Sequence, residues 1–320
     1  MKKKSEGSNF GKRSLKKMLK KFRALKQSPV AATLIGLAAP VAWAMNVPIM
    51  RAIVEGFGMA PGECLLYAMA TVIVALSLRI PDVRAADKRY LIFGIGSAVA
   101  CTICLVLAVY FSVGGAQTLE VGMVNYLWPA LTIVFSVFLT GVKANFWLIP
   151  GLLICISSVF WIISNGEFSF LRFFTHVTEN PSSYLLALGA ALFWTLYSIF
   201  TKLWGQGQNF STIILALDSI FFAVLWILGF GDDTVITTKG IVSLLVGGFA
   251  IGLAYGCWTH GVLHGNITVL SVASYFTPVM SCVFGAIWLG VQLSTSFWIG
   301  SLFLVLGSVV CWSSTRQGQS

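Results

Sequence analysis

Residues 116–140 read AQTLEVGMVNYLWPALTIVFSVFLT, an apolar run with a proline, Pro129, near its middle. About 20 apolar residues are enough to cross the hydrocarbon core of a bilayer. A proline inside such a helix donates no N–H and clashes with the carbonyl four residues back, here that of Asn125. Lipid offers no replacement partner, so the break must face protein or a water-filled cavity. The same stretch returns later as Ser274-Tyr275-Phe276-Thr277-Pro278. One offset of 149 residues aligns Tyr126 with Tyr275, Pro129 with Pro278, Gly141 with Gly290 and Gly151 with Gly300. Two readings of the prolines stand side by side. Either the carbonyls of Asn125 and Ser274 are free to meet a substrate ammonium or water, or a neighbouring Ser or Thr satisfies an ordinary kink.

The rest of the chain fits this frame. Of its 320 residues 57% are hydrophobic and 10% charged, against about 25% charged in soluble domains. Apolar runs with polar or Gly/Pro punctuation predict ten spans, near 30–51, 60–80, 89–111, 116–140, 145–165, 182–204, 211–230, 240–262, 266–290 and 295–314. The repeat period is then five spans. An odd number inverts the second copy in the membrane, the plan of many secondary transporters, with the substrate site near the midplane. Trp43 followed by Arg51 in span 1, and Trp194 followed by Lys202 in span 6, extend the match. The expected fold is therefore an all-α membrane protein of ten transmembrane helices. Two inverted five-helix repeats, 29–165 and 182–316, surround a central cavity and are joined by a periplasmic connection at 166–181.

Charge gives orientation. The net charge of +10 sits in residues 1–28, which hold eleven of the 21 Lys and Arg against one acid, Glu6. This tail reads either as an interfacial amphipathic helix or as a solvated segment. It does not read as a nucleic-acid-binding domain. With the N-terminus inside, eighteen basic residues lie on the cytoplasmic side and three, Arg51, Arg172 and Lys239, outside. The positive-inside rule then places both termini in the cytoplasm of a multi-pass inner-membrane protein. No cleavable signal peptide is expected. The seven Cys all fall in apolar runs, and Cys101 and Cys104 have no His or acid beside them, so they read as small apolar filler. No nucleotide loop, nucleophile–base set or metal spacing is present. No cofactor, no metal and no enzymatic activity are expected.

Candidate transport residues follow from depth. Most of the eleven Trp lie near span ends, as an interfacial belt, but Trp43, Trp128 and Trp194 lie deep. With Tyr126, Tyr197, Tyr255, Trp258 and Tyr275 they could wall a chamber for a planar ligand, or simply pack helix to helix. Asn46, Asn125 and Ser274 add polar tips. Ionisable residues inside spans are expensive and mark function by default, which selects Glu120 and Asp218. For Asp218 pairing with a hydroxyl is favoured. Arg51 and Lys202 stand at opposite mouths, where they could attract a substrate carboxylate or merely snorkel.

The string Glu120-Val-Gly-Met-Val-Asn-Tyr-Leu-Trp-Pro129 resembles the YddG-type aromatic amino-acid exporters of the drug/metabolite transporter superfamily. So do Leu263-His-Gly-Asn-Ile-Thr268 and Ser274-Tyr-Phe-Thr-Pro278, with Tyr255 and Trp258 upstream. The likeness runs from about 30 to 316, and the paired repeats are of the EamA type. It implies export of Phe, Tyr and Trp, with breadth toward other amino acids or cations. It also implies a cavity lined mainly by spans 1, 3, 4, 6, 8 and 9, and so by the aromatic and polar residues named above. The chain departs from that pattern at Cys101-Thr102, at Gly115-Ala116 and at Asp218. The expected partners are a small-molecule substrate and the lipid bilayer. An exporter of threonine, homoserine or a cationic drug is the alternative, with a membrane-embedded enzyme or a channel behind it. Oligomeric state and energy coupling are not legible.

Overall fold

A computed structural model describes residues 28–78, 80–231 and 235–316. The basic tail, with its expected amphipathic helix, lies outside them. Among the described residues the chain is helical, with no strand. The elements are α1 (Pro29–Ala44), α2 (Asn46–Phe57), α3 (Met59–Ser77), a π turn (Tyr90–Gly94) leading into α4 (Ile95–Phe111), α5 (Gly114–Asn125), α6 (Trp128–Thr140) and α7 (Leu148–Ile163). After α8 (Phe170–Glu179) come α9 (Pro181–Trp204), α10 (Ser211–Ile227), α11 (Thr238–His264), α12 (Ile267–Ser274), α13 (Thr277–Leu289) and α14 (Thr295–Arg316). Six helices are long and apolar enough to cross a membrane, and a seventh if α1 and α2 count as one span bent by 43°. The helices α7, α10 and α13 are apolar but shorter. The bend between α1 and α2 has a cause in Pro48, which cannot donate to the carbonyl of Ala44.

The two prolines of the repeat act by stopping a helix and starting another. Beyond α5, Tyr126 N–H still donates to Gly122 (3.0 Å) and Leu127 N–H to Val124 (3.1 Å). Helical bonding then resumes with Leu131 N–H on Leu127 (3.1 Å), and Pro129 sits in the first turn of α6, where a missing N–H is harmless. The later copy does the same. Tyr275 donates to Val272 (3.2 Å), Phe276 to Ala273 (3.1 Å), and Met280 to Phe276 (3.0 Å) at the start of α13. Each second segment ends on a glycine at equivalent positions, Gly141 with φ 69° and Gly290 with φ 70°. Only glycine adopts that left-handed conformation without strain.

Helices pair across the chain: α4 packs on α9, α11 on α1, α10 on α3, and α14 on α7. Small residues set the closest approach. A Cβ on Gly307 would stand 2.9 Å from both the Cys155 nitrogen and the Gly151 carbonyl oxygen. The connection at 166–181 contains a helix, α8. Its N-cap Ser169 accepts the Arg172 N–H (3.3 Å). Phe173 and Val177 face the core formed around α5, α7 and α14, while Phe170, Leu171 and Phe174 are exposed. Ten residues mixing aromatics with Arg172 and His176 give no long apolar run. Only packing, such as Phe173 stacked on Phe160 at 4.8 Å, fixes them as a helix.

Candidate functional site: an aromatic chamber at the helix breaks

The two breaks meet in a cavity of about 320 Å³, at the lower end of the roughly 300–1,000 Å³ range of small-molecule sites. Trp43, Asn46, Val47 and Met50 of α1 and α2 form one wall. Asn125, Tyr126 and Trp128 enter from the first break, Ser274 and Thr277 from the second. The remaining walls are Trp194 and Tyr197 of α9, Tyr255 and Trp258 of α11, Ala98 to Leu105 of α4, and Asp218 of α10. Tyr67 of α3 also lines the cavity.

The rings form two clusters. Trp43 lies 5.2 Å from Trp258 and 6.2 Å from Tyr255, centroid to centroid. Trp194 lies 6.0 Å from Trp128, edge to face, and 5.3 Å from Tyr197. Such tilted pairs are the favoured geometry of aromatic rings. They hold one another at fixed angles, and both clusters line the same cavity. Polar atoms are few. The side-chain oxygens of Asn46 and Asn125 are buried without a hydrogen-bond partner, as is Asp218 Oδ1. The other Asp218 oxygen accepts from Thr102 Oγ1 at 3.1 Å, the hydroxyl pairing expected of it.

The breaks are not equally open. The Ser274 carbonyl accepts the Thr277 hydroxyl at 2.6 Å, so the ordinary-kink reading holds there. At the first break Thr132 and Thr195 take the Trp128 carbonyl instead, at 2.7 and 3.3 Å.

Four residues singled out in the sequence stand outside the lining. Tyr275 turns toward α14, 6.2 Å from Trp312. Glu120 accepts the Tyr184 hydroxyl at 2.7 Å and contacts His176 Nε2 at 3.0 Å, tying α5 to α9 and α8. Arg51 pairs with Glu55 (2.6 Å) and donates to the Ser112 carbonyl (2.7 Å), so its charge caps the last turn of α4. Lys202 is exposed near the end of α9. Outside the membrane, the Arg89 side chain and N–H both donate to Asp87, and these bonds hold the carboxyl below its usual range. The Arg89 guanidinium also lies 5.1 Å from the Trp204 ring.

The sequence reading passed over Glu63, on α3. It is fully buried, with neither carboxyl oxygen hydrogen-bonded. The signal was a lone acid in an apolar run, MAPGECLLYAMA from Met59.

The EamA-like transporter family model matches residues 181–313. The chain is 37% identical over 288 residues to the aromatic amino acid exporter YddG of Escherichia coli (strain K12), covering 90% of this chain and 98% of that one. The chain belongs to the YddG family of EamA-type transporters. The YddG exporter of Salmonella typhimurium is likewise 37% identical, over 89% of this chain and 98% of its own. That of Ancylobacter novellus is 28% identical over 52% of this chain. A solved crystal structure aligns over 89% of this chain and 99% of its own with a TM-score of 0.64 at 20% identity, so the fold is shared beyond evident sequence likeness. The family consists of membrane transporters, and this chain is a transporter rather than an enzyme.

Proposed function

We propose that the protein exports aromatic amino acids, phenylalanine, tyrosine and tryptophan, across a bacterial inner membrane by alternating access. The observation that carries this reading is the pair of ring clusters flanking a slot with few polar atoms. A substrate ring would pack between Trp43/Trp258 and Trp128/Trp194, each contact being worth about 0.5–1.5 kcal/mol. Its ammonium would meet the free oxygens of Asn125 and Asp218, with a ring-face contact adding about 0.5–2 kcal/mol. Interactions of that size suit a carrier, which must release its cargo.

The mechanism rests on ten spans in two inverted copies, 29–165 and 182–316, with both termini cytoplasmic. Packing supports the symmetry. Exchanging the copies turns the α4–α9 contact into the α11–α1 contact, while α3–α10 and α7–α14 map onto themselves. The last pair obeys the 149-residue offset in detail. Gly151 faces Gly307 and Cys311, and Gly300 faces Ser158 and Ile162, the positions that the offset interchanges. Rocking of one copy against the other would open the slot to each side in turn.

Efflux of radiolabelled phenylalanine, threonine and lysine from cells with and without the protein tests the cargo. Faster loss of phenylalanine alone is expected. Faster loss of threonine or lysine with phenylalanine unchanged would refute the aromatic assignment.

A further inference from the structure

Glu63 and Asp218 stand on helices packed against each other, α3 and α10. The residues next to them are joined, Ser219 Oγ donating to the Cys64 carbonyl at 2.9 Å, and the two carboxyls are within electrostatic reach of each other. Asp218 is 1% exposed and Glu63 not at all. Three of their four oxygens are buried without a partner, and among the described residues neither takes part in an ion pair. The titratable groups that face them are Tyr67 on α3, Cys101 on α4 and Tyr255 on α11, all neutral near pH 7. Arg51, on the neighbouring α2, is held by Glu55 and Ser112. Tyr67 and Phe222, stacked at 6.0 Å, add to the apolar surroundings.

Two carboxylates without a cation cannot both stay ionised in such a place, so the pair must hold a proton. Asp218 lines the cavity and Glu63 does not, which gives that proton one way out, through the chamber. We propose that Glu63 and Asp218 form a proton-binding carboxyl pair that exchanges one proton for one substrate molecule in each transport cycle. This rests on the exporter reading above. On loading, the carboxyl O–H bond breaks and the proton passes to water in the chamber. The carboxylate left at Asp218 then faces the substrate ammonium. On the far side, a proton from water re-forms the O–H bond, and the ammonium loses its counter-charge and leaves. Protons therefore move opposite to cargo.

The test uses the full-length protein in liposomes loaded with radiolabelled phenylalanine, voltage clamped at zero, with a pH dye outside. Wild type should take up one external proton per phenylalanine released. A one-unit pH gradient, acid outside, should support about a tenfold phenylalanine ratio at steady state, since one pH unit and a factor of ten carry the same free energy. Glu63→Gln and Asp218→Asn should abolish the proton signal, and Glu63→Asp, which keeps a titrating carboxyl, should restore part of it. Net phenylalanine efflux without any proton signal in wild type overturns the coupling and, where phenylalanine counterflow is intact, leaves the exporter reading standing. A full proton signal in either amide variant overturns the assignment to this pair. Absence of counterflow in wild type overturns both. The wild-type trace decides the coupling even if neither variant folds.

Discussion

Removing one ring from the chamber tests the cargo assignment most directly. Trp128 sits half-buried at the first break, its indole 6.0 Å from that of Trp194 at 66°. Trp128→Ala deletes two kinds of contact. The one with Trp194 is present whether or not cargo is bound, so it affects stability and largely cancels from binding. The contact with a substrate ring, about 0.5–1.5 kcal/mol, and any share in holding the ammonium, about 0.5–2 kcal/mol, exist only in the loaded state. Together they come to about 1–3.5 kcal/mol. At ~1.4 kcal/mol per factor of ten, the half-saturating concentration of phenylalanine should rise roughly 5- to 300-fold. Trp128→Phe keeps a ring in place and should stay within about fivefold of wild type, a loss of about 1 kcal/mol or less. Counterflow into liposomes over a range of phenylalanine concentrations measures this. Competition by unlabelled threonine serves as the internal reference, because it has no ring to lose contact. An unchanged phenylalanine value in Trp128→Ala, or an equal loss for threonine, would show that the ring clusters only pack helices together.

Three further outcomes follow from the packing. Gly307→Ala should lower the thermal midpoint, because the new Cβ meets the Cys155 and Gly151 backbone at 2.9 Å and overpacking costs about 1–3 kcal/mol; a thermal-shift scan in detergent reads it. Tyr184→Phe removes the hydroxyl that donates to Glu120 at 2.7 Å and should cost about 1.5–3 kcal/mol, the range for a bond to a charged group, seen as a lower midpoint in the same scan. Thr277→Val frees the Ser274 carbonyl from its 2.6 Å partner and should destabilise by about 1–3 kcal/mol, checked by denaturation of the purified protein.

Much of this architecture could be read from the residues. Long apolar runs were legible because lipid demands them. Among the described residues six of them, or seven with the bent pair, are helices long enough to cross a membrane. Pro129 and Pro278 marked the two helix breaks because a proline inside such a run removes a helical bond, though Pro40 is accommodated inside α1 without a break. The deep rings that line the chamber were legible for the same reason, by their distance from the span ends. What escaped reading depends on partners far away in the chain. The Glu120 side chain looked like a site residue until His176, more than fifty positions later, and Tyr184 were seen to occupy it. Tyr275 shares the offset of Tyr126, yet the second copy meets α14 where the first meets the chamber. Glu63 lay close enough to the start of α3 to pass as interfacial, and only its burial against α10 reveals otherwise.

The two helix breaks are alike in their backbone bonding and unequal in their side chains, and the inequality suits transport. Two identical breaks would offer a substrate two equivalent seats and no preferred orientation. Here the Ser274 carbonyl at the second break is taken by Thr277, while the first break presents the unpartnered side-chain oxygen of Asn125. The acids add to this bias, since Asp218 contributes a second partnerless oxygen to the same chamber from α10. Both oxygens thus line the same mostly aromatic cavity. A zwitterion with a flat ring could then enter in one orientation, its ammonium toward Asn125 and Asp218 and its ring between the tryptophans. Two inverted copies, as proposed above, would let that single seat be offered to either side of the membrane, and the unequal side chains would decide what sits in it.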